Sequence, residues 1–353
     1  MPSTSTGTGT GRHSHRRLAR FRRPGAGAGL LFVAPAVLSL LLFLIGPILM
    51  AAWVSLLDWN AQSNPFTGDY EFVGTENYQE LLTTPGLLRT DFMMSLRNTV
   101  YFVLCSVTGT TVLSFVLALA VNSRVLRGRS FFRLVFYFPA ITSSVAIAMI
   151  FLFLFANSGV VNGVLSWFGI EGPRWFNDPG GVLHLVLGWF GVDQPPGALA
   201  DHDLGGLSLW QWAAGPSVAM SALILLSIWT SSGVFMLFFL VGLQDIPVEL
   251  EEATAIDGAN SWQRFRFLTL PLMRRMVVLV ITLALISSWQ VFDQIFLISQ
   301  GSPVKTTLTP AYVSYVRSFR DGEFGVGAAV AFVLATIVIV LTLAQRWLGR
   351  ERA

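Results

Sequence analysis

The stretch IPVELEEATAIDGANSWQRFRFLTLPL, residues 246–272, decides how the rest of the chain is read. Pro247 suits a first helical position, where its missing N–H is no loss. Glu249, Glu251 and Glu252 follow in the first turns, where carboxylates oppose the positive helix end. Gly258 supplies the left-handed residue that ends a helix. Asn260 and Gln263 have the spacing of an N-cap with a return hydrogen bond. Pro271 disfavours helix at Leu270 and so marks a break before the next span. The segment reads as two short helices around a glycine, carrying both acids and the rings of Trp262, Phe265 and Phe267. Either a partner protein covers those rings, with Glu252 meeting a basic group there, or they dip into lipid headgroups.

What flanks this knuckle is apolar. Residues 204–244 contain no charge, and residues 276–303 contain only Asp293. Further charge-free runs cover 24–57, 98–123, 134–170 and 324–345. A hydrocarbon core of about 30 Å takes about 20 apolar residues in a helix. Six crossings are predicted, near 30–54, 98–123, 134–156, 217–243, 276–298 and 325–346. Composition agrees: of 353 residues, 53% are hydrophobic and 12% charged, where a soluble domain carries about 25% charged. The fold class is an all-α membrane protein.

Arginine placement sets the topology. The N-terminal tail, the connection holding Arg124, Arg127, Arg129 and Arg133, the knuckle with Arg264, Arg266, Arg274 and Arg275, and the C-terminal tail together hold 17 of the 23 basic residues. The opposite side holds 13 of the 20 acids. Both termini and the knuckle are therefore expected in the cytoplasm, and residues 157–215 form an extracytoplasmic insertion. Arginines spaced at alternate span ends exclude a nucleic-acid face, which needs them gathered on one surface. Residues 1–28 lack the apolar residues for a core and are expected to be a disordered basic tail. The run after it is about twice a signal peptide's apolar core, so an uncleaved first span is expected. The domain limits are 1–28, 29–348 and 349–353.

Some chemistry is excluded. The single lysine, Lys305, follows Val304, so a Gly-Lys-Ser/Thr phosphate loop is absent and ATP is not bound that way. Cys105 is alone, and no residue set suggests a metal or a catalytic constellation. Within the insertion, VLSWFGIEGP at 164–173 echoes VLGWFGVDQP at 186–195, offset by 22. This is either a duplication making two short amphipathic elements at the outer membrane surface or a coincidence of Trp/Gly-rich composition.

The knuckle resembles the EAA loop of permeases from binding-protein-dependent ABC importers: EAA, three residues, Gly, nine residues, I-x-L-P. Here Glu252-Ala253-Thr254 leads to Gly258 and then Leu268-Thr269-Leu270-Pro271 without a gap, with Thr254 and Leu268 as the two departures. Asp257-Gly258-Ala259 and Phe265 are similar to the carbohydrate branch. So are Arg97-Asn98-Thr99-Val100, Arg129-Ser130-Phe131-Phe132-Arg133, Phe138-Pro139, Asn162, Gly301-Ser302-Pro303 with Thr306, and the opening PAVLSLLLFLIGPILMAAWVSLLDWN, which resembles a MalF-like or glycerol-phosphate-type first permease. The resemblance runs over about 29–348.

It implies a type I importer permease fold in the cell membrane and a chain that is not an enzyme. The implied partners are a second permease, two ATPase subunits that use ATP and Mg, an extracytoplasmic solute-binding protein, lipid and a carbohydrate substrate; this chain itself would bind no cofactor. By similarity Glu252 and Ala253 face the ATPase groove, Gly258 makes the turn and Pro271 ends the element, with Thr254, Asp257, Ala259, Phe265 and Leu270 in the same motif. A self-sufficient secondary carrier is the competing transport reading, and an intramembrane enzyme the competing reading from another class.

For the substrate path, Asp293 is the one acid inside a span, and such groups mark pathways. At helical spacing it shares a face with Gln290 and Gln294, beside Trp289; carboxylates, amides and rings suit sugar hydroxyls and ring faces. Trp229 and Ser231, with Thr230 and Ser232, form a second polar-aromatic cluster. The alternatives are that Asp293 is solvated or bonds a neighbouring helix, and that the small hydroxyls serve helix packing. Asn98 and Asn162 are expected to brace helix ends.

Overall fold

The computed structural model describes residues 26–68, 70–122, 128–192, 199 and 202–350. Most of the predicted tail, Arg124, Arg127, Asp193, Pro195 and 351–353 lie outside them; residues 26–28, assigned to the tail from sequence, are already helical. The chain divides into two compact units, 1–53 and 54–353.

The first unit is span one. Helix Ala26–Leu40, a π turn at Leu41–Ile45 and helix Gly46–Val54 run on from one another. Its side chains are exposed from Leu31 to Met50, as a helix surrounded by lipid requires. Pro47 has no N–H for the helical ladder, and the backbone widens into the π turn just before it.

The second unit holds the other five spans: Leu87–Asn122 (two), Arg129–Ile141 with Ser144–Leu154 (three), Val218–Gln244 (four), Arg274–Trp289 (five) and Phe324–Arg350 (six). Three departures from the sequence expectation stand out. Span two begins at Leu87 rather than near 98, so that Arg97 and Asn98 lie inside a helix rather than at its start. Span three is not straight but turns by 100° at Thr142 and Ser143, after Pro139. Span five does not continue to 298: its helix ends at Trp289, Gln290 leaves helical geometry (φ −97°, ψ 18°), and a π turn at Ile295–Ser299 follows.

Pro271 leaves Leu270 helical, contrary to expectation, although a break does come before span five. Helix Ser261–Leu272 runs through it, with Leu270 fully helical (φ −62°, ψ −43°). A π turn at Phe265–Thr269 absorbs the lost bond, as at Pro47, and the Leu270 N–H reaches the Phe265 carbonyl. The 65° bend falls after it, between Leu272 and Arg274.

Span four is the hub. It lies along span two, where Gly109 leaves room for Ile228, and against span three, where a Cβ on Gly233 would fall inside the Phe136 carbonyl oxygen. Small residues let membrane helices approach this closely. Around the half of span four nearer Val218, Phe92, Phe102, Met220, Leu223, Ile295, Tyr312 and Val330 form one buried cluster; around the half nearer Gln244, Ala118, Phe239, Leu243, Met273 and Val280 form another. Asn98 braces the outer loop after span five, donating to the carbonyls of Lys305 (2.9 Å) and Leu308 (3.0 Å). Lys305 also pairs with Asp91 at 2.7 Å. The insertion folds as helices Val160–Trp167 and Val182–Trp189, a two-residue hairpin and a short helix Leu209–Trp212 capped by Ser208.

Candidate functional site

Two regions carry the predicted site residues. The first is the knuckle. Pro247 stands one place ahead of its expected position, as N-cap of helix Val248–Ile256, with Glu249 and Glu251 in the first turn. Thr254 Oγ1 donates to the Glu251 carbonyl at 2.9 Å, and Gly258 takes φ +76°. Gly258 and Ala259 then return N–H groups to the carbonyls of Ala255 and Thr254, at 3.2 and 3.0 Å. Asn260 and Gln263 exchange side chain-to-backbone bonds, both 2.8 Å. These bonds satisfy, within the loop itself, several of the backbone groups that the two helix ends leave open.

Glu252, Ala253, Asp257 and Gly258 are exposed; Thr254, Ala259 and Leu270 are half-buried, and Pro271 is exposed. Phe265 turns inward. Its ring meets Trp262 at 5.5 Å and Phe115 of span two at 6.0 Å, and Phe115 meets Phe239 of span four at 5.1 Å. That chain of rings ties the second knuckle helix to the bundle, so Phe265 anchors while Trp262 and Phe267 remain exposed. Sequence reasoning missed Ile256, 87% exposed at the end of the first helix, and Leu250. An apolar residue between Glu252 and Gly258 was the available signal. A cavity of about 760 Å³ lies beside this helix, between Glu251 and Glu252 on one wall and Asn122 and Arg129 on another.

The second region is inside the bundle. Because span five breaks at Gln290, the residues Gln290, Asp293 and Gln294 do not share one helical face. The break itself gathers them: all three line a cavity of about 220 Å³ with Ser227, Ser231, Ser287 and Ser288. Asp293, Gln294, Ser231 and Ser287 also line an adjoining cavity of about 340 Å³ that reaches Thr142 and Ser144 at the elbow of span three. Ser144 Oγ donates to Asp293 Oδ2 at 3.2 Å, and Thr309 Oγ1 donates to the Val291 carbonyl that the break leaves free, also at 3.2 Å. Irregular backbone at membrane depth is tolerated where it lines such a cavity. Gln290 and Asp293 are exposed on the open side.

Trp289 and Trp229 stand elsewhere. Trp289 is buried with Val103, Leu334 and Val338 against span six, and Trp229 packs on Phe151 at 5.5 Å. Neither is among the lining residues of the two cavities. The hydroxyls of Thr142, Ser144 and Ser287 were not singled out from sequence, because only the elbow and the break bring them to Asp293.

A bundle of bent, apolar helices long enough to cross a membrane, with a polar cavity among them and a capped polar knuckle, is the architecture of a multi-pass membrane protein. Residues 110–353 match the family described as the binding-protein-dependent transport system inner membrane component, and the chain belongs to that family. It is 30% identical over 327 residues to the lactose transport system permease protein LacF of Rhizobium radiobacter, covering 92% of this chain and 94% of that one. It is 27% identical to the arabinooligosaccharides transport system permease protein AraP of Halalkalibacterium halodurans (90% and 85%). It is 26% identical to the trehalose/maltose transport system permease protein MalF of Thermococcus litoralis (93% and 95%). Its fold matches a chain of a bacterial ABC transporter that imports alginate, with TM-score 0.69 at 20% identity, covering 93% of this chain and 97% of that one. Membership sets aside both the self-sufficient carrier and the intramembrane enzyme.

Proposed function

We propose that the chain is one of two permeases of a sugar importer in the cell membrane, with both termini and the knuckle in the cytoplasm. Two ATPase subunits hydrolyse ATP, and an extracytoplasmic binding protein delivers the solute. The three relatives named above transport lactose, arabinooligosaccharides and trehalose or maltose by their names, which supports a carbohydrate cargo. The cavity chemistry suits it: a carboxylate, two amides and several hydroxyls are the groups that exchange hydrogen bonds with a polyol. Its open side at Gln290 and Asp293 is where a second permease would complete the path.

The observation that carries the coupling role is the ridge of Glu252, Ala253 and Ile256, exposed beside a turn held by its own backbone and cap bonds. A rigid ridge transmits displacement, whereas a floppy loop absorbs it. In this reading Glu252 and Ala253 contact the ATPase subunit, Thr254, Asp257, Ala259, Leu270 and Pro271 hold the ridge, and Phe265 links it to spans two and four. The test is Glu252→Arg in the assembled transporter. Membrane insertion is expected to persist while uptake and solute-stimulated ATP hydrolysis are lost together; unchanged uptake rejects the coupling role.

A further inference from the structure

The echo in the insertion is repeated in three dimensions, and it is longer than the sequence match alone suggested. Helices Val160–Trp167 and Val182–Trp189 begin and end at the same offset of 22 residues. Each is entered from an extended glycine, Gly159 or Gly181, at which a Cβ would strike backbone carbonyl oxygen. Each ends in the same way. Phe168 and Phe190 share φ and ψ within a few degrees (−93°, 5° and −94°, 8°), and Gly169 and Gly191 take φ +73° and +79°. The N–H groups of Ile170 and Val192 return to the carbonyls of Leu165 and Leu187, both at 3.1 Å.

The equivalent positions also face the same way. Asn162 and His184, 22 residues apart, point inward and each engages a tryptophan. Trp175 Nε1 donates to Asn162 Oδ1 at 2.7 Å, and His184 stacks on Trp210 with ring centroids 4.1 Å apart. On the outward side stand Val164 with Trp167 and Phe168, and Val186 with Trp189 and Phe190. Trp167 and Trp189 are 82% and 87% exposed, and Phe168 and Phe190 are 75% and 79% exposed. Segments 159–170 and 181–192 contain no Asp, Glu, Lys or Arg. The first helix follows directly on the outer half of span three, whose Val145, Met149 and Phe153 are exposed in the same manner.

We propose that these two knuckles are a duplicated interfacial anchor, seated in the headgroup–acyl boundary of the bilayer and fixing the depth of spans three and four. Eight residues are too few to cross a membrane. A Trp–Phe pair at a helix end, with the last carbonyls satisfied by a left-handed glycine, matches the level at which tryptophan concentrates in membrane proteins. The first knuckle follows span three in the chain after a short turn, and both carry exposed apolar side chains. A soluble partner that must leave on each cycle uses polar and charged contacts, and segments 159–170 and 181–192 themselves carry no charged residue.

The inference rests on the chain's crossing of the membrane and not on its cargo, so it can fail while the sugar-importer reading stands. In a Cys105→Ser background, Trp167→Cys and Trp189→Cys carry nitroxide labels in the full chain, reconstituted in phosphatidylethanolamine–phosphatidylglycerol vesicles. Collision with oxygen is expected to exceed collision with a water-soluble nickel chelate at both sites, with the reverse at Gln62→Cys in the first outer loop. Preference for nickel at either site, or a label closed to both quenchers, overturns the proposal. Conservative substitution guards against misfolding: with chain-brominated lipid, the double variant Trp167→Phe/Trp189→Phe should lose the quenching owed to two of the 11 tryptophans. Equal quenching of variant and parent also overturns it.

Discussion

The knuckle at 246–272 and the cavity around Asp293 are both made where a helix stops, yet they stop for opposite reasons. At Gly258 the chain ends its helix with groups it carries itself: Gly258 and Ala259 donate back to Ala255 and Thr254, and Asn260 and Gln263 satisfy one another. At Gln290 the helix ends because distant parts of the fold catch what it drops. Thr309 takes the Val291 carbonyl, and Ser144 meets Asp293 from another span. A locally completed turn can be rigid before anything binds it. A turn completed from span three and from the loop after span five changes whenever those elements move, which is what a translocation path would need.

Breaking the local turn should have the largest effect. Proline cannot adopt the φ of +76° found at Gly258, so Gly258→Pro should reduce uptake more than about a hundredfold while the chain still reaches the membrane. Uptake assays beside membrane-fraction blots measure this. Gly258→Ala pays about 1–2 kcal/mol for the left-handed conformation and should fall between the two.

The cavity is next. Asp293→Ala removes a charge-assisted acceptor, worth about 1.5–3 kcal/mol when it holds a ligand. At about 1.4 kcal/mol per factor of ten, transport KM should rise about tenfold or more. Asp293→Asn should recover part of that, whereas Ser144→Ala should change KM by less than about threefold. Equal KM in all three variants would mean that Asp293 only braces span three.

Legibility follows the same division. The glycine, the cap and the acids of the first knuckle helix are readable because each acts on its neighbours in sequence. Pro271 rightly signals the break before span five but misleads about Leu270, because the π turn at Phe265–Thr269 absorbs its missing bond, a device that also operates at Pro47 and that no propensity records. The third-span elbow and the Gln290 break depend on contacts more than a hundred residues away, such as Ser144 with Asp293. Sequence therefore identifies the acid and the amides but misplaces them on one helical face. It also groups Trp289 with them although its side chain belongs to the packing against span six.

Smaller effects sharpen the contrast. Asn260→Ala deletes one cap, worth about 1 kcal/mol, and should lower uptake a few-fold, with partial rescue by Asn260→Ser. On the outer side, burial lowers the His184 pKa from its ordinary value, with the charge of Arg97 adding to the effect and the Trp210 carbonyl opposing it. The folded chain then binds fewer protons than the unfolded chain as pH falls through about 6.5, so acid destabilises it. Between about pH 7.5 and pH 5.5 the thermal midpoint should drop slightly more for the parent than for His184→Gln; the same drop in both would remove His184 from the account.

Gly109 and Gly233 have a mechanical corollary. They clamp span four on two sides within a few residues of Ser231, and the knuckle hangs from that span's inner end with only Asp245, Ile246 and Pro247 between. The helix is thus a stiff lever whose fulcrum sits beside the load. A stroke delivered at one end reaches the cavity wall without slack, and a methyl group added at either glycine would introduce play into the linkage before it altered any side chain that touches the cargo.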